Sequence, residues 1–190
     1  VNYDAGFALI RDERLHRAAF TDRPDYLKAK ERGLAGGNPW PVEYGPELSR
    51  GFRALKVWAQ IAEFGTDKLG RMIERNCYQA SYLGEQVAKT PGLELLAPVA
   101  LNICCFRHVE PGLPDKVLDA MNDEIVIQLQ EQGIAAPSTT RLKGRLAIRV
   151  NITNHRTARK DLDILLQEIE RIAASPEVAA VRDAAMKEAG

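Results

Sequence analysis

Neither sign of charge prevails in this sequence: 26 Lys and Arg balance 26 Asp and Glu, and the formal net charge is zero. Without a global basic field there is nothing to gather nucleic acid or an anionic membrane, so polyanions are not the expected partners. Cysteine is scarce. Cys77, Cys104 and Cys105 form an odd set without CxxC spacing, and neighbours on a strand point to opposite faces, so neither a disulfide framework nor a cysteine metal site is expected. Reduced thiols and a cytoplasmic location are expected instead. No apolar run approaches the roughly 20 residues that span a bilayer, and the opening residues carry no basic stretch of a targeting signal. Also missing are a Walker loop, HExxH, GxSxG, internal repeats and low-complexity segments. His16, His108 and His155 are scattered without metal-ligand spacing, which predicts packing or surface roles and no metal site.

What is there suffices for a core: 190 residues, 45% of them hydrophobic, predict one domain plus an appendage. The run at 7–10, closed by Arg11, Asp12, Glu13 and Arg14, predicts a buried strand. Because the chain starts at Val1 directly in such sequence, an upstream extension is expected. Residues 21–47 hold too many Gly and Pro for a regular element and predict a long loop. Leu48, Phe52, Leu55, Trp58, Ile61 and Ala62 fall at helical spacing up to Gly65, and Thr66 is placed to cap a second helix that ends near Thr90. Beyond Gly92 the pattern predicts a strand (95–109), a helix (115–132), strands at 134–139 and 145–153, and a helix (157–174). Such an order gives a compact α+β unit with helices on one face of an antiparallel sheet. Ser175 and Pro176 predict the start of a last helix over 176–189.

Two features invite chemistry. Arg149 lies inside an apolar strand, where a half-buried guanidinium needs an anionic partner, from the protein or from a substrate carboxylate. The segment 32–45 combines glycines with Trp40 and Tyr44, as an active-site lid requires, although a plain surface connection has the same composition. Cys104 and Cys105 read as buried, inert thiols.

The run Pro46-Glu47-Leu48-Ser49-Arg50-Gly51-Phe52-Arg53-Ala54-Leu55-Lys56-Val57-Trp58 is similar to the Arg-(Phe/Ala)-Arg-x-Leu-Lys-x-Trp helix start of the group II pyridoxal-phosphate (PLP) dependent decarboxylases, the aromatic-amino-acid and glutamate decarboxylases. The stretch Arg145-Leu146-Ala147-Ile148-Arg149-Val150-Asn151-Ile152-Thr153-Asn154 resembles that family's closing strand, and an acidic amphipathic helix follows in both. Val1-Asn2-Tyr3-Asp4 resembles the stretch just after the family's His-Lys-Trp segment, which would put the lysine that holds PLP about four residues before Val1. The resemblance runs to about residue 174.

It implies the α/β fold type I of PLP-dependent transferases. Residues 1–47 would be the tail of the PLP-binding large domain, with a catalytic loop at 29–45. Connecting helices would fill 48–91, a small α+β domain 92–175, and a helix or tail 176–190. It further implies amino-acid decarboxylation by a homodimer, or by this chain with its missing N-terminal portion as companion. Arg149 matches the arginine that binds the substrate carboxylate, Tyr3 an aromatic position beside the pocket, and Ala54 with Arg53 the pocket wall; Asn2 falls on the cofactor side. In the loop the family's proton-donating tyrosine has no counterpart: Asn38, Pro39, Trp40 and Pro41 stand there, with Tyr44 displaced, so Trp40 and Tyr44 are the loop candidates. Two alternatives stay open: another fold type I PLP lyase, and a stand-alone ferredoxin-like binding or dimerisation module without catalysis.

Overall fold

The computed structural model describes residues 5–20, 30–33, 36–37 and 40–189. They divide into two compact units, 1–65 and 66–190.

In the first unit a short helix, α1 (Glu13–Ala18), begins where the Asp12 carboxylate accepts the Leu15 amide at 3.0 Å. A 3-10 turn follows at Pro41–Tyr44, and the first part of helix α2 (Arg53–Lys89) closes the unit. The strand expected at 7–10 does not form: Phe7 is 79% and Leu9 fully exposed, without regular structure. An apolar run becomes a strand only where a neighbour pairs with it, and no described residue does. The expected loop over 21–47 contains the Pro41–Tyr44 turn and an isolated bridge between Lys30 and Gly36.

Within α2 the backbone leaves helical conformation at Gly65 (φ 70°, ψ 158°), the boundary of the two units. The remainder of α2 belongs to the second unit and buries Ala80, Leu83 and Val87. Strands β1 (Leu93–Leu95) and β2 (Ile103–His108) replace the single strand expected over 95–109. They pair antiparallel, with Leu93 opposite His108. Helix α3 (Asp115–Glu131) leads to β3 (Ser138–Leu142), which begins four residues later than expected, after Pro137. A two-residue turn then enters β4 (Arg145–Asn151), and α4 (Arg159–Ala173) and α5 (Pro176–Ala189) complete the chain.

The four strands form one antiparallel sheet in the order β1-β2-β4-β3. One face carries Phe106 and Ile148, fully buried against Val117, Met121, Ile125 and Leu129 of α3 and Leu165 and Ile169 of α4. This is the α/β arrangement expected, with helices on a single face. Cys104 sits in that core. Burial pushes its thiol up to about 12, which leaves it inert.

Two local devices set the sheet's register. Lys143 (φ 50°) and Gly144 (φ 83°) take the left-handed pair of angles that suits a two-residue hairpin, so Leu142 faces Arg145 and Ser138 faces Arg149. At this same end of β4, β2 and β4 stop pairing beyond Phe106 and Ile148. Continued, the ladder would join His108 to Leu146. Side chains of α3 take that place. Asn122 accepts the His108 amide through Oδ1 at 2.7 Å and donates Nδ2 to the His108 carbonyl at 2.8 Å, while Asp119 Oδ1 accepts the Leu146 amide at 2.8 Å.

Candidate functional site

Side chains alternate along β4, so Arg145, Ala147 and Arg149 share the face turned away from the helices. The strand register adds Glu94 from β1, Cys105 and Arg107 from β2 and Ser138 from β3. Three arginines therefore share one face, with different partners. Arg107, only 4% exposed, pairs through Nε with Glu94 at 3.0 Å and through Nη1 with Asp115 at 2.9 Å. Arg145 Nη1 takes the other Glu94 oxygen at 2.7 Å. Burial by itself would raise the Glu94 carboxyl, but hydrogen bonds from Arg145 and then Arg107 outweigh it and hold the group below the usual carboxylate range.

Arg149 is left over. It is half-buried, and among the described residues its Nη1 reaches only the Ser138 hydroxyl, at 3.4 Å. Among the described residues no carboxylate stands at ion-pair distance from it. Across the ladder lies Cys105, whose thiol is raised by burial against the lowering pull of the Arg149 charge. A guanidinium held in this way, on a central strand with its charge unanswered, is complementary in charge and fork geometry to an anion.

The other candidates fall elsewhere. Arg53 and Ala54 open α2 in the first unit; both are exposed, and Arg53 Nη1 lies 3.7 Å from Glu47. Trp40 precedes the 3-10 turn, its carbonyl accepting the Glu43 amide at 3.0 Å. Tyr44 is tied to α1: its hydroxyl donates to Glu13 at 2.7 Å, its carbonyl lies 3.1 Å from His16 Nε2, and the two rings meet edge to face at 5.4 Å. The bond to Glu13 raises the Tyr44 hydroxyl above its ordinary value, with burial and the Glu13 charge adding to it. Beside it the buried Glu43 pairs with Arg17 at 2.6 Å. From the sequence His16 was given only a packing or surface role, and Glu13, Arg17 and Glu43 no site role, because only the folded turn brings residues 26 to 31 positions apart into contact. Asn2 and Tyr3 lie outside the described residues, as do 29, 34–35 and 38–39 of the expected loop. Among the described residues no cluster of His, Cys, Asp or Glu could hold a metal ion, and no helix is long and apolar enough to cross a membrane.

Residues 1–109 match the conserved domain of pyridoxal-dependent decarboxylases. The aromatic-L-amino-acid decarboxylase of Bacillus atrophaeus is 31% identical over 172 residues, covering 90% of this chain and 36% of that protein. Among solved structures, 4-hydroxyphenylacetaldehyde synthase of Rhodiola rosea superposes with a TM-score of 0.64 and 25% identity, over 70% of this chain and 29% of that one. The glutamate decarboxylase domain of diaminobutyrate-pyruvate transaminase and L-2,4-diaminobutyrate decarboxylase from Vibrio parahaemolyticus gives 0.57 and 27%, over 63% and 26%. The chain thus spans about a third of the length of the curated relatives it matches.

Proposed function

This chain belongs to the pyridoxal-dependent decarboxylase family, and we propose that it supplies the substrate-carboxylate subsite of an enzyme that decarboxylates an L-amino acid. The observation that carries this reading is Arg149, the one arginine of its sheet face without a carboxylate partner among the described residues. When bound, pyridoxal phosphate supplies the electron sink for the pair left behind as carbon dioxide departs. Its anchoring lysine belongs upstream of Val1 on this reading. Asn2 is assigned to the cofactor side and Tyr3 to the pocket wall.

Arg149 binds and orients. Its guanidinium fixes a carboxylate in a bidentate grip, Ser138 steadies one arm of the fork, and the Glu94, Arg107 and Arg145 network keeps neighbouring positive charge neutralised, so that a single carboxylate is favoured over a polyanion. Arg53 and Ala54 are assigned to the substrate side and the 29–45 segment to the lid. The bond of Tyr44 to Glu13 keeps its proton at that oxygen and secures the C-terminal end of the lid. The assignment of residues 1–47 to the large domain, 48–91 to connecting helices and 92–175 to the small domain is part of the same proposal. So are the homodimer and a cytoplasmic setting, to which the free cysteines are suited.

The test is carbon dioxide release by the full-length enzyme on a panel of acidic and aromatic L-amino acids, with and without Arg149→Gln. Losing one charge-assisted bidentate contact predicts a fall in kcat/KM of about a hundred-fold on the preferred substrate. No release from any amino acid, or an unchanged kcat/KM in the variant, refutes the proposal.

A further inference from the structure

A second basic site lies on the second unit, in a cavity of about 530 Å³ between α2 and the N-terminus of α4. Arg71 and Arg75, one helical turn apart on α2, line it together with Arg159, the first residue of α4. Like charges at this spacing repel, and such pairs are usually interleaved with carboxylates. Here none stands at ion-pair distance from any of the three among the described residues. The acidic groups nearby are otherwise engaged. Glu74, which also lines the cavity, accepts from the Tyr78 hydroxyl at 3.4 Å; Asp161 accepts the Ala158 amide at 2.9 Å; Asp163 accepts from Tyr82, over whose ring the Arg159 guanidinium rests at 5.1 Å.

Two further observations point to a ligand. Helix α4 is 15 residues long, and its N-cap is Ala158, which offers no side-chain acceptor; the Asp161 amide turns back to the Ala158 carbonyl at 3.1 Å, which leaves the amides of Arg159 and Lys160 for a ligand. Gln79, also lining the cavity and 5% exposed, donates through Nε2 to the Thr157 carbonyl, while its buried Oε1 has no donor among the described residues. Arg75 Nη2 spends one of its five N–H groups on the same carbonyl at 3.2 Å, which turns the guanidinium toward the α4 terminus.

We propose that this cavity binds the phosphate group of a small phosphorylated metabolite. Three guanidinium groups and a helix N-terminus are complementary to a dianion with several acceptor oxygens, and the volume exceeds what phosphate alone fills, leaving room for a polar body that gives Gln79 Oε1 a hydroxyl donor. The site is independent of Arg149, which lies on β4, and of the decarboxylation proposed above.

The test is calorimetric titration of the PLP-saturated full-length protein with glycerol 3-phosphate and, separately, inorganic phosphate. Saturable binding of glycerol 3-phosphate is expected, tighter than that of inorganic phosphate and weakened by added salt. Arg71→Gln and Arg159→Gln are each expected to weaken it about ten-fold, whereas Arg149→Gln leaves it unchanged. Arg71 is exposed and holds no partner among the described residues, so the R71Q protein should melt with the parent, which separates lost binding from lost folding. Absence of saturable binding, or binding untouched by both R71Q and R159Q, overturns the proposal, and inorganic phosphate binding as tightly as the ester overturns the metabolite in favour of the free ion.

Discussion

Replacing Asn122 by leucine tests whether α3 truly stands in for a missing strand partner. The side chain is fully buried and makes three hydrogen bonds, to the His108 amide, the His108 carbonyl and the Leu118 carbonyl. Leucine has nearly the same size, so no large cavity opens. The Leu118 carbonyl retains its place in the helical ladder of α3, but both polar groups of His108 lose their partner. Each orphaned group costs about 1–3 kcal/mol. Set against the gain from burying an apolar side chain, the net loss is about 3 kcal/mol, a large share of the 5–15 kcal/mol typical of a domain. With a urea slope near ~2 kcal/mol per M, the unfolding midpoint of the second unit, followed by circular dichroism, should fall by about 1.5 M. Asp119→Ala orphans only the Leu146 amide within the protein and breaks an ion pair whose Arg141 side chain is 60% exposed, so its shift should be less than half as large. A midpoint unmoved by Asn122→Leu, or an Asp119 variant that falls further, would refute the account of how this sheet ends.

Acid should loosen the second unit through His108. Burial is the main influence and lowers the affinity of its ring for a proton, against the opposing pull of Glu110 at 3.7 Å and of Glu170. A base with a depressed folded value contributes stability that is complete above the ordinary histidine value of about 6.5 and is lost as the pH falls below it. Melting temperatures measured between neutral and mildly acidic pH should therefore decline less steeply in His108→Gln than in the parent; equal slopes would dismiss the histidine as the cause. Gly84 of α2 offers a sharper packing test. A Cβ built there meets Val99 Cγ2 at 2.8 Å, so Gly84→Ala should cost about 1 kcal/mol net despite the helix propensity it gains. In a Val99→Ala background the same substitution should become stabilising, and a double-mutant cycle by urea titration showing no coupling would contradict that contact.

Much of this architecture was legible from periodicity. The helices α3, α4 and α5 appear within two residues of where apolar spacing and caps put them, because each buries an apolar stripe, α3 and α4 in the core under the sheet and α5 against α3. Shorter elements were less legible. The 95–109 run concealed a turn between β1 and β2, since single-residue spacing does not reveal where a chain reverses. The 7–10 run carried strand composition without a strand, because pairing is a property of two segments and only one was in view. Of the site, the position of Arg149 could be read from the apolar letters around it. That Arg107 and Arg145 are consumed by Glu94 could not, since the pairing of Glu94 with Arg107 depends on the β1-β2 register and that with Arg145 on a contact 51 residues apart. The cavity beside Arg71 was likewise invisible, as its α2 wall meets the start of α4 only through contacts 78 to 82 residues apart.

The Lys143-Gly144 turn has a consequence for the mutability of this site. By locking β4 in register, it assigns Ile148 to the interior and Arg149 to the opposite side, one residue apart. A slip of one position would exchange them, placing a guanidinium among Phe106 and the α3 leucines. With the turn in place, natural variation at 149 leaves folding to its neighbours. Position 149 can thus be exchanged on the outward face without disturbing the packed face of the same sheet.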